Sequence, residues 1–304
     1  PGSFFHPFKG TWGIPTTKLR ASKQAFAGGA KGDYLTDVLA EGTIKLIKEN
    51  GKKKPFFLYF PFYAVHTPLQ GKKEKIERYK QVPKETRQGN PVYAAMVESV
   101  DDAVGKVMGA VRELGMEKDT LVLFTSDNGG FARATDHAPL RANKGSPYEG
   151  GIRVPLIITG AGVERKGATC EVPATSSDLY PTILEMAGLS MRPHQHLDGR
   201  SLAGALKGKG ALEEKPIFWH YPHYNQHPQS APHSVIRSGS WKLMEFLETG
   251  KIELYDLAKD LGESKDLSQT KPEVTKELLA RLHAWKKEVR AEPMLPNPLV
   301  QGSK

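Results

Sequence analysis

The sequence predicts a layered α/β domain up to about residue 208, followed by a smaller unit of antiparallel strands and one helix. The first observation is the alternation of short apolar runs with helical patterns, which is typical of an α/β domain. The second is a change after about residue 208, where short strand-like runs are separated by turn residues. We therefore expect two domains, residues 1–208 and 209–304.

Three segments show the apolar spacing of helices. Residues 34–49 carry apolar side chains at helical intervals and end near Asn50-Gly51. In residues 92–114 the valines recur in steps of three and four from Val97 onward, and Gly115 follows. Residues 178–187 form a third pattern, which Gly188 ends.

The strands of the first domain are predicted from short apolar runs. Residues 56–60 (FFLYF) and 121–125 (LVLFT) are continuously apolar, which is typical of strands buried on both faces. The strand at 154–159 should return antiparallel to 121–125. The segment between them contains too little regular structure to form the crossover helix that a parallel connection needs.

The second domain shows four strand-like runs and a final helix. The last two runs are joined through Thr249-Gly250, which predicts a hairpin. A helix from residue 272 to about 290 carries apolar side chains on one side and should pack on this sheet. The strand-like runs are 217–221, 234–237, 241–246 and 251–257.

Composition narrows the function classes. The chain has 304 residues and 43 Lys and Arg against 34 Asp and Glu, a formal net charge of +9. Its lysines are scattered and no zinc spacing or aromatic-basic repeat occurs, which argues against nucleic acid as a partner. No apolar run approaches the roughly 20 residues that span a bilayer, so we expect no membrane span. The positive charge fits either a solvated lysine-rich surface or attraction of anionic substrates.

Two polar residues follow the strand at 121–125. Asp127 and Asn128 offer a carboxylate and an amide oxygen where ligands bind in open α/β sheets. Such oxygens suit Ca²⁺ or Mg²⁺. The sequence Asp-Asn-Gly-Gly is also a favourable turn, so the local pattern leaves both a metal site and a turn open.

Two further candidates lie on loops. An antiparallel return of the strand at 154–159 would bring Lys144 over the Asp127–Asn128 pair, although the local sequence by itself favours a solvated loop lysine. His66 stands in a loop after the run at 56–60, where a hydrogen-bonded structural histidine is also common. Ser146, Pro147 and Glu149 have the spacing of a capping box, which predicts a short helical turn.

Short segments of the chain together resemble the type I sulfatase family, in particular its arylsulfatase A-like branch. The resemblance runs from about Gly32 through nearly the whole chain. The segments are residues 54–59, 66–69, 94–101, 126–129, 144–155, 177–182, 197–202 and 241–243.

This resemblance implies an alkaline-phosphatase-like α/β sandwich with a small C-terminal subdomain. It implies hydrolysis of sulfate esters by a hydrated formylglycine, with one Ca²⁺ that binds the sulfate and the nucleophile. By position, Asp127 and Asn128 are similar to two of the metal ligands, and Lys144 and His66 to catalytic residues that contact the sulfate. A lysine, an imidazolium and a divalent cation all stabilise charge on sulfate oxygens.

The His- and aromatic-rich stretch 219–227 supplies two weaker candidates. By analogy with C-terminal subdomains that line the pocket, His220 and His223 are candidate substrate contacts. A surface hairpin or core-edge histidine explains them equally well.

The chain departs from the family in one large respect. The Cys/Ser-x-Pro/Ala-x-Arg sequence that yields formylglycine is absent, and Cys170 does not fit it. The paired aspartates and the Lys-x-His element of the family are absent too. Because Pro1 begins without an initiator Met or signal peptide, we expect the chain to be the C-terminal portion of a longer protein. We expect this incomplete sandwich to be inactive alone, and its parent to be periplasmic or secreted.

Two other functions stay open. A phosphodiesterase or phosphonate hydrolase of the same superfamily is one, although Asn128 favours a single-metal sulfatase over two-metal enzymes with His after the strand-end Asp. A catalytically dead, carbohydrate-binding homologue is the other. The substrate, a small-molecule or glycan sulfate ester, is not specified by any residue.

Overall fold

The computed structural model describes residues 3–6, 30–87, 89–209, 212–227 and 229–295. Contacts divide the chain into two compact units. The first unit comprises Pro1–Val122, Arg133–Thr135 and Thr159–Ala161, and the second Leu123–Ala132, Asp136–Ile158 and Gly162–Lys304. The predicted domain boundary near residue 208 is a different division and stays a prediction.

Three helices form the body of the first unit. They are α1 (Leu35–Asn50), α2 (Lys73–Lys80) and α3 (Pro91–Glu113), and both α1 and α2 pack on α3. Asn90 caps α3, since its side-chain oxygen accepts a hydrogen bond of 2.8 Å from the backbone N–H of Val92. The predictions of α1 and α3 are confirmed within one or two residues.

The buried face of α3 differs from the predicted valine stripe. Val97 is 46% exposed, whereas Ala95, Met96, Ser99 and Ala103 are fully buried. Small side chains bring helix axes close together, so this face packs more tightly than a valine face could. The spacing predicted the helix correctly, and of these valines Val111 is buried at 4% exposure whereas Val97 is not.

The two strands nearest the candidate site form a small sheet. Strand β1 (Leu121–Thr125) precedes the single helical turn α4 (Glu149–Ile152), and β2 (Leu156–Gly160) follows it and pairs with β1. Ala161 N–H donates to Thr120 O at 2.9 Å. Thr125 Oγ1 donates to Pro155 O at 2.9 Å. The start of β1 therefore lies beside the end of β2, and the end of β1 beside the start of β2. This confirms the predicted antiparallel return.

The predicted strand at residues 56–60 is wrong. These residues are not in a strand, and the side chains of Phe57 and Tyr59 are 73% and 77% exposed. Within the described part of the chain no strand pairs with them. A run of apolar residues predicts hydrophobic cover but does not supply the hydrogen-bonding neighbour that makes a strand. Likewise β1 is a strand but is not buried, since Phe124 is 36% exposed.

The second unit continues with helices and a four-stranded antiparallel sheet. Two short helices, α5 (Leu179–Met186) and α6 (Ala203–Leu206), come first. The sheet has the order β3 (Ile217–Tyr221), β4 (His233–Ser238), β5 (Trp241–Phe246), β6 (Ile252–Asp256), and α7 (Pro272–Glu288) follows. All three pairings are antiparallel, as predicted.

This sheet has a core on each face. Val235 and Met244 point to one face, with Tyr148 among their neighbours. Ile236 and Leu243 point to the other, where α7 packs. Alternation of side chains along each strand produces this division. No helix in the described ranges is long and apolar enough to cross a membrane.

Candidate active site

Asp127 and Asn128 lie just beyond the carboxyl end of β1, as predicted. The side-chain amide of Asn128 donates a hydrogen bond to Oδ1 of Asp127. Oδ1 of Asn128 is buried and has no hydrogen-bond partner among the described residues. A buried polar atom without a partner costs about 1–3 kcal/mol, so coordination of a cation by this oxygen would be favourable. The exposed carboxylate and the unpartnered amide oxygen fit a hard divalent cation.

The donor set within the described residues is small. No group of three or more His, Cys, Asp or Glu side chains that could hold a metal ion occurs there. Asp127 and Asn128 could therefore supply only part of the coordination sphere of a metal ion.

The glycine after this pair holds it against α4. Gly129 N–H donates to Gly151 O at 2.9 Å. A Cβ on Gly129 would lie 1.8 Å from Gly150 O, so only glycine allows this approach. The backbone beside Asn128 is thereby fixed to α4.

Lys144 reaches the same turn through its backbone. Its N–H donates to Gly130 O at 3.0 Å, which confirms that the loop returns beside the Asp-Asn-Gly-Gly turn. Its side chain is partly buried, and its ammonium pairs with no acceptor among the residues described. The backbone of Lys144, rather than a contact of its ammonium, is what the structure ties to the turn of Asp127 and Asn128.

His66 belongs to the first unit, whereas Asp127, Asn128 and Lys144 belong to the second. Its ring is exposed, with Nδ1 2.9 Å from Thr67 O. Its predicted position beside the other three residues stays a prediction.

The two candidate histidines, His220 within β3 and His223 just after it, differ in their surroundings. Both ring nitrogens of His220 have protein partners, Ser234 Oγ at 2.9 Å and Glu292 O at 2.6 Å. His223 is exposed and lies edge-on to Tyr221, with centroids 5.5 Å apart. A substrate contact by either residue stays a prediction, and the contacts of His220 are structural.

The residues of this stretch that do contact the Lys144 loop were missed by sequence reasoning. Asn225 Nδ2 donates to Gly145 O at 3.0 Å. The ring of His227 lies so close to Gly145 that a Cβ there would be 2.6–2.8 Å from it. The composition of residues 219–227 indicates a candidate functional stretch. The stretch has no periodic pattern that would distinguish Asn225 and His227 from the other residues in it.

A buried hydrogen-bond network anchors the residues on either side of Lys144. Tyr148 and Tyr255 hydroxyls donate to Glu253 Oε2 at 2.8 and 2.9 Å, and the guanidinium of Arg141 lies 3.9 Å over the Tyr148 ring. Burial raises the pKa of both tyrosines above its ordinary value. Burial alone would raise the pKa of Glu253, but hydrogen bonds from Lys251 and the two tyrosines lower it. The carboxylate therefore stays ionised and the phenols protonated at neutral pH.

The predicted capping box at α4 is wrong. Ser146 Oγ is buried without a hydrogen-bond partner among the described residues, and Tyr148 occupies the N-cap position. The carboxylate of Glu149 accepts instead from Lys242 Nζ at 2.9 Å. A charge-assisted bond to a residue far along the chain has replaced the local cap.

Two models of known protein families match this chain. The family model "Sulfatase" matches residues 4–189, and the model "N-sulphoglucosamine sulphohydrolase, C-terminal" matches residues 143–291.

Individual relatives agree with the family models. A sulfatase of Formosa agariphila is 35% identical over 279 residues, which cover 83% of this chain and 50% of the relative. Human arylsulfatase A is 31% identical over 254 residues, 75% of this chain and 47% of the relative. The chain therefore spans about half the length of these curated relatives.

Solved structures share the fold. The crystal structure of Ps i-CgsB superposes with a TM-score of 0.73 at 30% identity, over 85% of this chain and 56% of that one. The same protein has been solved in complex with k-i-k-neocarrahexaose. This likeness confirms the predicted alkaline-phosphatase-like α/β fold class.

Proposed function

The chain belongs to the sulfatase family, and on that premise we propose that the protein hydrolyses sulfate monoesters at a site that includes Asp127, Asn128 and Lys144. The observation that carries the proposal is Oδ1 of Asn128, which is buried beside the Asp127 carboxylate and has no partner among the residues that the structure describes. The backbone of Lys144 is tied to the same turn.

Asp127 and Asn128 would hold one Ca²⁺ through a carboxylate and an amide oxygen. When bound, this ion supplies positive charge for a sulfate oxygen and for the nucleophile. The chain's own contribution is to present two oxygen ligands from one rigid turn, because Gly129 is hydrogen-bonded to Gly151.

Lys144 and His66 are the proposed sulfate contacts. The ammonium of Lys144, which has no acceptor in the described ranges, can bind an oxygen of the sulfate group and stabilise the charge that grows there during ester cleavage. His66 is exposed and its Nε2 is available to donate to the sulfate or to the leaving oxygen. The nucleophile is assigned to no residue of this chain, since no Cys/Ser-x-Pro/Ala-x-Arg sequence occurs in it.

Sulfated glycans are the proposed substrate class. The 30%-identical Ps i-CgsB has been solved in complex with k-i-k-neocarrahexaose, and this supports a glycan substrate. The net charge of +9 supports it too, because a basic surface raises the local concentration of a polyanion. A periplasmic or secreted location stays a prediction.

The test compares variants of the full-length protein with an aryl sulfate and with sulfated oligosaccharides. We expect Lys144→Ala and Asn128→Ala to lower kcat/KM by about 10²–10³-fold, as removal of one charge-stabilising group does. Lys166→Ala is the matched control, since Lys166 is an exposed loop lysine and its loss should leave turnover unchanged. Chelation should abolish turnover and Ca²⁺ should restore it.

Two outcomes would favour other functions. Faster hydrolysis of an aryl phosphate diester than of an aryl sulfate would favour the phosphodiesterase or phosphonate hydrolase. Binding of glycan without turnover at saturating Ca²⁺ would favour the catalytically dead homologue. The 304-residue chain alone is expected to be inactive, and turnover of an aryl sulfate by that chain would refute this expectation.

A further inference from the structure

Lys242 is a fully buried cation on β5, in the second unit. Its side chain is 0% exposed, and its Nζ lies 2.9 Å from Glu149 Oε1 and 2.8 Å from Glu263 Oε1. Two arginines, Arg153 and Arg237, each lie 3.7 Å from the other oxygen of Glu149. None of these residues is among the ligands or sulfate contacts of the proposed function.

The cluster fixes the start of α4 at two points. Glu263 accepts a hydrogen bond of 2.7 Å from the backbone N–H of Glu149 through Oε2, while its Oε1 binds Lys242. Lys242 in turn holds the Glu149 side chain. Backbone and side chain of Glu149 are therefore both held by the Lys242–Glu263 pair.

The turn that begins at Glu149 is in direct contact with both proposed functional loops. Gly151 O accepts from Gly129 N–H, next to Asn128. Gly150 N–H donates to Arg141 O, at the start of the loop that carries Lys144. A shift of α4 would therefore move the metal ligand and the sulfate contact together.

We infer that Lys242 is a positioning residue that holds Asn128 and Lys144 in their relative places through Glu149 and α4. Replacement of a buried ion cluster by apolar residues is often neutral or stabilising, so stability alone does not account for a buried cation here. Groups behind the ligands of a metal site orient those ligands, and their loss lowers metal affinity or activity by about 10- to 100-fold. The inference rests on the proposed function, because it concerns the same site.

The experiment measures Ca²⁺ affinity by calorimetric titration after chelation, together with kcat, KM and the melting temperature without Ca²⁺, in the full-length protein. Lys242→Gln is expected to weaken Ca²⁺ binding by about 10- to 100-fold and to lower kcat more than it raises KM. Lys242→Arg should recover most of the affinity, since its guanidinium can still bind both carboxylates.

Lys75 provides the matched control. It is 6% exposed and pairs with Glu98 at 3.1 Å and Asp102 at 2.5 Å, the same chemistry in the first unit. Lys75→Gln should lower the melting temperature without changing Ca²⁺ affinity or kcat.

The outcomes separate this inference from the proposed function. If Lys242→Gln lowers only the melting temperature, as Lys75→Gln does, Lys242 is merely structural and the inference is overturned. If Lys242→Gln does not fold, the triple variant K242M/E149Q/E263Q, which removes the charges of the lysine and of both carboxylates together, is judged by the same affinity criterion. If Asn128→Ala binds Ca²⁺ as tightly as the wild type, the proposed metal pair fails and the inference fails with it. If Asn128→Ala weakens Ca²⁺ binding and Lys242→Gln does not, the inference about Lys242 is refuted and the proposed function stands.

Discussion

The contact between Gly129 and α4 makes a quantitative prediction for Gly129→Ala. A Cβ at this position would lie 1.8 Å from Gly150 O, and real Cβ contacts essentially never fall below 3.0 Å, so the backbones must separate by at least 3.0 − 1.8 = 1.2 Å. Forced overpacking costs about 1–3 kcal/mol. Separation on this scale also lengthens the 2.9 Å hydrogen bond from Gly129 to Gly151, which contributes about 0.5–1.5 kcal/mol.

The expected loss in the free energy of unfolding is therefore about 2–4 kcal/mol. Urea unfolding followed by circular dichroism measures it as a lower midpoint at constant slope. Gly105→Ala is the matched control, because Gly105 is exposed in α3 and a Cβ there meets nothing within 4 Å. That change should stabilise the helix by about 0.5–1 kcal/mol. A loss below about 0.5 kcal/mol for Gly129→Ala, the scatter of ordinary surface changes, would show that α4 and the Asp-Asn turn are not tightly coupled.

Two further predictions concern stability. Tyr148→Phe removes the 2.8 Å hydrogen bond to ionised Glu253 and should lower the free energy of unfolding by about 1.5–3 kcal/mol. Tyr224→Phe is the control, because the Tyr224 hydroxyl bonds Glu248 at the surface, and it should lower that free energy by less than about 0.5 kcal/mol. Equal losses in chemical unfolding would contradict this explanation. Burial lowers the pKa of His233 and outweighs the hydrogen bond of 2.6 Å from Nδ1–H to Ala231 O, which raises it, so the folded protein favours the neutral ring. Its stabilising contribution is present above the unfolded pKa of about 6.5 and is lost as the pH falls through the lower folded pKa. Urea unfolding at pH 7.5 and 5.0 should show a larger acid loss for the wild type than for His233→Asn, and parallel losses would exclude His233 as the cause.

Local sequence signals were sufficient for much of the second unit. Strands β5 and β6 and helix α7 are encoded by alternation, a turn at Thr249-Gly250 and a 3.6-residue repeat, all of which act over a few residues. The place of Asp127 and Asn128 at a strand end was predictable for the same reason, because the apolar run of β1 ends where the polar residues begin.

The tertiary structure decided features that depend on distant partners. Residues 56–60 have the composition of a strand, but the structure gives them no neighbouring strand in its described ranges. Glu149 fits a capping box locally, yet it bonds Lys242, 93 residues away. Composition could not distinguish His227, which packs on Gly145, from His220, which bonds Ser234.

By itself, then, the sequence determined which segments are helices or strands in the second unit and where the candidate metal ligands stand on the chain. Only the tertiary structure decided that Asn128 Oδ1 finds no partner in the described part of the chain, and that a buried lysine holds the turn beside it. The physical reason is range: periodicity and turn chemistry act between near neighbours, whereas desolvation and ion pairing depend on which distant residues the packed fold brings together.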